Sequence, residues 1–130
     1  QQQYPDATHC VTAIDARMDE VYWAAYRTAN GVLEEAIAPQ VASVTQTDAQ
    51  LKSWLTGKVA AGVGTGWALL QQSKPQLHSF EADCWPKASA VARLAEKAWT
   101  DGRTVDALSV EPVYLRNEIS WKKRIRKRNQ

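Results

Sequence analysis

The sequence of 130 residues has little cysteine and no long apolar run. Its two cysteines, Cys10 and Cys84, are too few for the disulfide framework of a small secreted domain and lack the spacing of a zinc site. No apolar stretch approaches the roughly 18 residues that a membrane-spanning helix requires. No basic-then-apolar signal segment opens the chain. These absences argue against a disulfide scaffold and a membrane protein, and they predict a single globular domain in the cytoplasm.

The net charge of +2 is an average over two unlike parts of the chain. Residues 1–121 hold 10 basic and 14 acidic residues, a net charge of −4, whereas residues 122–130 hold six basic residues and no acid. A basic tail of this kind is either a solvated terminus or a segment that neutralises RNA phosphates. The candidate RNA contacts are Lys122, Lys123, Arg124, Arg126, Lys127 and Arg128.

The first third of the chain is typical of β-strands. Residues 10–14 and 20–28 are rich in β-branched and aromatic side chains, and Arg17, Met18 and Asp19 lie between them as a turn. Asn30–Gly31 is the preferred pair for a type I′ hairpin. A third strand is therefore predicted at residues 32–37, ending before Pro39.

Helices and strands alternate after that. Thr47, with Gln50 three residues later, predicts the start of a helix that ends at Gly57. Residues 58–64 predict a buried strand, residues 67–70 a helical turn, and residues 73–79 a loop. Small and apolar residues at spacings of three and four predict a long helix that begins at Pro86, which suits its first turn, and ends at Asp101–Gly102. Residues 110–115 predict a last strand.

This order, βββαβαβ, predicts an α/β fold. Three strands joined by tight turns form an antiparallel meander, and strands reached through helices are added in parallel, which gives a mixed sheet with helices packed on it. The order is that of the ribonuclease-H-like fold, which is also the repeated half of actin-like ATPases. We expect a single lobe at residues 9–121, preceded by a leader at residues 1–8 and followed by the basic tail at residues 122–130.

The residues themselves argue against an enzyme of this fold. A ribonuclease-H-like nuclease needs several carboxylates around two metal ions. Asp15 is suitably placed, but residues 58–64 contain no acid, and Glu34 and Glu35 are expected to face solvent. His9 and His78 have no ligand partners at a suitable spacing. No metal, no cofactor and no catalytic residue are predicted.

Two segments raise the question of phosphate binding. An actin-like half needs an acid followed by glycine at its first hairpin, whereas Asp15 is followed by Ala16, Arg17 and Met18. The stretch at residues 62–66 has glycine at alternate positions, which is neither the dinucleotide nor the P-loop pattern. It is either a phosphate loop or a tight exit from a buried strand that makes room for Trp67. A local ion pair between Asp15 and Arg17 that orders the hairpin is our default interpretation of those two residues.

Cys84 precedes the start of the long helix. At such a position a thiolate can be stabilised by the helix N-terminus. A small, buried apolar role is the simpler interpretation of this residue.

Residues 14–23 and 111–118 resemble the bacterial TsaB family, whose older name is YeaZ. Trp121–Lys123 continues the second match, and residues 63–67 and 86–88 fall in the expected order between the two segments. The match spans residues 10–123, while residues 40–58 and 71–84 agree in character only.

The resemblance implies a partner protein rather than a catalyst. Members of this family are two-lobed, actin-like proteins that act with TsaD and the ATPase TsaE, which together install threonylcarbamoyl on adenosine 37 of tRNA. TsaB is implied to be a scaffold or activator that meets tRNA indirectly, without a membrane, and the family's former label as glycoproteases keeps a hydrolase open as an alternative. The candidate motif positions are Asp15, Arg17, Glu20, Tyr22, Gly64, Gly66, Trp67, Pro112, Tyr114 and Arg116.

The chain departs from the family in two respects. Family members are about twice this length, so the resemblance implies the C-terminal lobe alone, with residues 1–8 coming from the region between the lobes. Homodimerisation and most of the TsaD contact belong to the N-terminal lobe in the family. The tail after Lys123 is also more basic than the family leads us to expect.

Overall fold

The computed structural model describes residues 6–29 and 32–116. Asn30–Gly31 and the basic tail at residues 122–130 therefore lie outside the described residues. The elements are β1 (His9–Arg17), β2 (Glu20–Ala29), β3 (Val32–Ser43), α1 (Val44–Leu55), β4 (Ala60–Val63), β5 (Ser79–Glu81) and α2 (Ala88–Thr100), with short 3-10 turns at Thr65–Ala68 and Lys74–Gln76.

The five strands form one mixed sheet in the order β3-β2-β1-β4-β5. The strands β1, β2 and β3 pair antiparallel, as the predicted meander requires. The strand β4 pairs in parallel with β1, and β5 pairs in parallel with β4. Within the described residues, none of the helices combines the length and apolar character needed to cross a membrane.

The third strand is longer than the sequence predicts. It continues past Pro39 to Ser43, so the predicted end before Pro39 is wrong. The strand β3 lies at the edge of the sheet, and its register with β2 shifts between the pairs Trp23–Gln40 and Ala25–Ile37. Proline lacks an N–H donor, and an edge strand with a bulge is where that loss is tolerated.

The helix α1 also begins earlier than predicted. Ser43, and not Thr47, is its N-cap, because the Ser43 hydroxyl accepts a hydrogen bond from the Gln46 backbone N–H. Ser43 and Gln46 have the same capping-box spacing as the predicted pair, Thr47 and Gln50. Thr47 is instead buried inside the helix. Gly57 has a φ of 73°, which confirms the predicted left-handed end.

The core lies between α1 and one face of the sheet. Val11, Val21 and Trp23 point to that face from β1 and β2, and Leu51 and Leu55 meet them from α1. All five side chains are buried because their positions alternate along the strands and recur every four residues along the helix. The strands β1 and β2 and the helix α1 therefore share one buried apolar core.

The predicted strand at residues 110–115 is not a strand in the structure. The fifth strand is Ser79–Glu81, which begins at the last residue of the predicted loop and continues where no element is predicted, so the elements follow the order βββαββα. A strand of three residues is too short to be recognised from sequence alternation. Residues 110–115 resemble a strand in composition, but Pro112 lacks the N–H donor that a strand interior needs. The helix α2 ends at Thr100 with Asp101 as its C-cap, as the sequence predicts. Its N-cap is Lys87, so Pro86 precedes the helix instead of lying in its first turn.

Candidate functional site

The end of the described chain returns to the first hairpin. The Arg116 guanidinium donates a hydrogen bond of 3.0 Å to the backbone carbonyl of Ala16 and pairs with the carboxylate of Glu20. It also lies 5.7 Å from the centre of the Tyr22 ring, within cation–π range. Arg116 thus meets two other candidate motif positions, Glu20 and Tyr22, which lie about 95 residues before it in the sequence.

Strand alternation explains why Glu20 and Tyr22 face Arg116. Val21 and Trp23 point into the core beneath α1, so Glu20 and Tyr22 point to the other face of the sheet. Tyr22 lies opposite Ile14 of β1, which is on the same face. The Arg116 side chain is 20 % exposed, so this cluster is half-buried against the face that α1 leaves open.

The tip of the hairpin is held by Asp15. Its carboxylate accepts a hydrogen bond of 2.7 Å from the Arg17 backbone N–H and pairs with the Arg17 guanidinium at 3.3 Å. Arg17, Met18 and Asp19 all have positive φ, between 58° and 63°. The local ion pair predicted for Asp15 and Arg17 is present, and it supports a turn that non-glycine residues rarely adopt.

The glycine-rich stretch packs against β1. A Cβ atom on Gly64 would lie 2.3 Å from the Ala13 carbonyl oxygen, and one on Gly66 would lie 2.9 Å from the Ala13 carbonyl carbon. A Cβ atom on Gly62 would lie 2.6 Å from the Trp67 ring. Of the two interpretations of this stretch, the geometry favours the tight strand exit that makes room for Trp67.

Trp67 is buried at the centre of this packing. Its indole N–H donates a hydrogen bond of 3.2 Å to the Val11 carbonyl. Thr65 ties the same loop to the hairpin, because its hydroxyl accepts a hydrogen bond of 3.1 Å from the Asp15 backbone N–H. The motif residues at 64–67 therefore position β1 and its hairpin.

Sequence reasoning missed a cavity of about 470 Å³ at the carboxyl ends of β1 and β4. Ile14, Val63 and Trp85 form apolar walls, and Thr12 and Lys87 are polar groups at its surface. In the sheet, β2 lies on one side of β1 and β5 lies on the other side of β4, so the chain leaves β1 and β4 in opposite directions. Open α/β sheets commonly bind ligands at such a point, where the strand order reverses. The strand order, had it been known, was the signal that could have located this cavity.

The remaining candidates do not form a metal site. Across residues 6–29 and 32–116, no group of three or more His, Cys, Asp or Glu side chains could hold a metal ion. His9 is partly buried, with Nδ1 2.9 Å from the Thr8 hydroxyl and its ring edge-on to Trp54, whereas His78 is exposed. Burial, together with the charges of Lys58 and Arg27, lowers the pKa of His9.

The two cysteines are both half-buried and unpaired. Burial raises the pKa of the Cys10 thiol, which disfavours a reactive thiolate. Cys84 lines the cavity beside Trp85. Pro112 and Tyr114 are exposed in the segment before Arg116, and the six candidate RNA contacts lie outside the described residues.

Comparison with known proteins gives a consistent result. The chain is 37% identical to the tRNA threonylcarbamoyladenosine biosynthesis protein TsaB of Haemophilus influenzae over 125 residues, covering 90% of this chain and 51% of that protein. It is 38% identical over 128 residues to the TsaB protein of Escherichia coli K12, covering 90% of this chain and 52% of that protein. No family model matches the chain.

Two solved structures from Pseudomonas aeruginosa share the fold. A protein described as similar to peptidase YeaZ superposes with a TM-score of 0.73 and 31% identity, over 88% of this chain and 53% of that one. A YeaZ structure superposes with a TM-score of 0.66 and 29% identity, over 87% of this chain and 53% of that one. The chain therefore spans about half the length of the relatives it matches.

The mixed sheet, the α1 core and these superpositions define an α/β protein of the ribonuclease-H-like class, as the sequence predicts. Within that class, the predicted resemblance to the TsaB (YeaZ) family is confirmed, and it extends over about half of a TsaB protein.

Proposed function

We propose that this chain is a lobe of a TsaB-type protein that acts as a non-catalytic scaffold or activator in the biosynthesis of tRNA threonylcarbamoyladenosine. Its partners would be TsaD and TsaE, and its contact with tRNA would be indirect. The observation that carries the proposal is the similarity to two TsaB proteins over nine-tenths of the chain. The meeting of Glu20, Tyr22 and Arg116 at one hairpin supports it, because both matching segments contribute to one structural feature.

The domain organisation belongs to the same proposal. Residues 9–121 would be the C-terminal lobe, residues 1–8 would come from the connection between lobes, and residues 122–130 would be a basic tail. Homodimerisation and most of the TsaD contact would belong to the N-terminal lobe of the longer protein.

Contacts within the chain at the two segments considered for phosphate binding, the Asp15 hairpin and residues 62–66, support a non-catalytic role. The Asp15 carboxylate is already bonded to Arg17, within a turn that contains no glycine. The backbone at Gly64 and Gly66 is in close contact with Ala13. Both segments that could have approached a nucleotide are thus engaged in packing β1.

A hybrid protein tests the proposal. In Escherichia coli cells depleted of TsaB, the half of that protein matched by this chain would be replaced by this chain, and threonylcarbamoyladenosine in tRNA would be measured by mass spectrometry. We expect the hybrid to restore the modification. A hybrid that is folded and abundant but leaves the tRNA unmodified would falsify the proposal.

The matched controls are two arginine substitutions. Arg116→Ala removes the contact with the hairpin, whereas Arg103→Ala removes an exposed ion pair with Asp101 at the far end of α2. We expect the first to reduce modification and the second to leave it unchanged. Equal effects of the two substitutions would show that the contact between Arg116 and the hairpin is not required for tRNA modification.

The basic tail supports a second candidate function, direct RNA binding. Six of its nine residues are basic. Removal of residues 122–130 should weaken tRNA binding and flatten its dependence on salt, because fewer phosphate contacts release fewer counterions. Unchanged binding after truncation would exclude the tail as an RNA contact.

A further inference from the structure

The cavity at the carboxyl ends of β1 and β4 has a rigid floor. Thr12 and Val63 are paired in the parallel ladder between these two inner strands, and Ile14 follows on the same face of β1. Gly64 adjoins them, with its backbone in close contact with Ala13. The volume of about 470 Å³ is within the range of small-molecule sites, and a floor built on inner strands needs no ordering when a ligand binds.

Trp85 forms a second wall, and its ring is also held in place. The ring is 63% exposed, and its indole N–H donates a hydrogen bond of 3.0 Å to the Asp83 carboxylate. Pro86 follows and restricts the backbone just before α2. A fixed, exposed indole beside an apolar cavity suits a ligand with a flat apolar body, because aromatic rings stack with an offset.

The polar groups at the cavity favour an acidic ligand. Thr12 and Lys87 both line it, and neither side chain has a hydrogen-bond or ion-pair partner among the described residues. The described residues that line the cavity include no Asp or Glu, and the nearby Asp83 is bonded to Trp85. One ammonium group balances one negative charge, and the hydroxyl can donate a further hydrogen bond to the same group.

The first turn of α2 adds to this preference. Lys87 and Ala90, which line the cavity, belong to the start of this helix. Within the described chain, no side chain caps this end of α2, and the first turn contains no acid. The N-terminus of a helix of 13 residues carries a partial positive charge, which stabilises an anion beside it.

We infer that this cavity binds a small carboxylic acid with a flat apolar body. Lys87 and Thr12 bind the carboxylate, and the apolar body lies between the sheet and Trp85. A carboxylate fits better than a phosphate dianion, whose second charge would be left without a partner in a mainly apolar site. The inference goes beyond the proposed function and does not depend on it.

Two probes that share a ring system but differ in charge test the inference. Naphthalene-2-carboxylate and naphthalene-2-methanol would each be titrated into the 130-residue chain and followed by amide NMR, which also verifies that the chain is folded. The carboxylate should shift the amide signals of Thr12, Val63 and Lys87 and bind about tenfold more tightly than the alcohol, or better. A carboxylate that shifts no signal at the cavity, or equal affinities of the two probes, would overturn the inference.

Lys87→Gln is the test of the charge. It should weaken binding of naphthalene-2-carboxylate about tenfold and leave binding of the alcohol unchanged. Lys97→Gln removes the same charge from the other end of α2, where Lys97 pairs with Asp101, and should affect neither probe. An equal loss in the two variants would show that the overall charge of the helix attracts the probe, and it would overturn the role of Lys87.

Filling the cavity tests the place of binding. Ala90→Phe should place a ring in the cavity and weaken binding of both probes. Ser89→Phe adds the same ring at a neighbouring exposed position that does not line the cavity, and it should leave binding unchanged. Binding that survives Ala90→Phe would place the probes on another surface, such as the exposed apolar side chains of α2, and would overturn the inference.

The hybrid with the remaining half of the Escherichia coli protein shows whether the site stays open in a protein of full length. We expect the hybrid to bind naphthalene-2-carboxylate with the same dependence on Lys87. A hybrid that is folded but does not bind this probe would show that the other half covers the cavity, and it would overturn the inference for the longer protein.

Discussion

The Asp48 carboxylate of α1 accepts two hydrogen bonds from Ser73, one of 2.9 Å from its backbone N–H and one of 2.5 Å from its hydroxyl. Its second oxygen accepts a bond of 2.9 Å from the Gln72 backbone N–H. Asp48 and Ser73 are both buried. This pair fixes the segment that leads into β5 against α1, and it is the reason that a charged residue lies at the edge of the core.

Stability should depend on pH through Asp48. Burial acts to raise the pKa of Asp48, but the hydrogen bonds from Ser73 and Gln72 outweigh it and hold the pKa below its ordinary value. Because the folded-state pKa is lowered, the stabilisation is present above the unfolded pKa of about 3.9 and is lost as pH falls through the folded value. Denaturant unfolding at neutral and acidic pH should show this loss.

The Asp48→Asn variant provides the comparison. It should lower the free energy of unfolding at neutral pH by about 1–3 kcal/mol and flatten the acid dependence. Asp106→Asn is the matched comparison, since hydrogen bonds from the Leu108 backbone and from Ser109 also lower the pKa of Asp106, but at an exposed site. Its loss should therefore change the stability and the acid profile less than the loss of Asp48 does. An unchanged acid profile in Asp48→Asn would contradict this assignment.

Arg116→Ala should release the end of the described chain without unfolding the lobe. The pair with Glu20 is part-exposed, so its loss should cost no more than about 1 kcal/mol in global stability. Residues 110–116 should nevertheless become more susceptible to limited proteolysis, because Arg116 joins them to the hairpin. Cleavage at the wild-type rate would show that other contacts hold this segment.

Alanine substitutions should separate close packing from backbone conformation at the glycines. Gly57 and Gly64 both have positive φ, but a Cβ atom on Gly57 meets nothing within 4 Å, whereas one on Gly64 meets the Ala13 carbonyl. Gly57→Ala should therefore cost about 1–2 kcal/mol. Gly64→Ala should cost clearly more, because β1 must move as well. Equal midpoints in urea unfolding would refute the close approach to Ala13.

Asp15→Asn tests whether the hairpin carries hydrolytic chemistry. We expect the purified chain to show no protease or nuclease activity with added Mg²⁺ or Mn²⁺, and Asp15→Asn to change only the stability of the turn. The Asp15 carboxylate is engaged with Arg17, which supports a structural role. Hydrolysis that disappears in Asp15→Asn would instead support the hydrolase alternative.

The meander, α1, β4 and α2 could be predicted because each is marked by a local pattern, such as the alternation in β2 or the glycine after α1. The strand β5 could not, since Ser79–Glu81 pairs only because Gly62 and its neighbours lie beside it. Pro39 misled the prediction for a related reason. Whether proline ends a strand depends on its place in the sheet, and the sequence alone does not contain that information.

The candidate site was predictable in part. The ion pair between Asp15 and Arg17 could be predicted because the two residues are only two positions apart in the sequence. The contact of Arg116 with Glu20 and Tyr22 joins distant segments, so only the resemblance to a family marked those residues in advance. The cavity beside Trp85 depends on strand order, which no local pattern encodes.

Three successive residues in the left-handed region make the β1–β2 turn stiff. Its backbone is fixed by the Asp15 carboxylate and by the Arg116 guanidinium on the neighbouring carbonyl. Met18, at the tip, is exposed on this rigid support. If another molecule binds Met18, the turn backbone is already ordered. Binding there should therefore cost little additional backbone entropy.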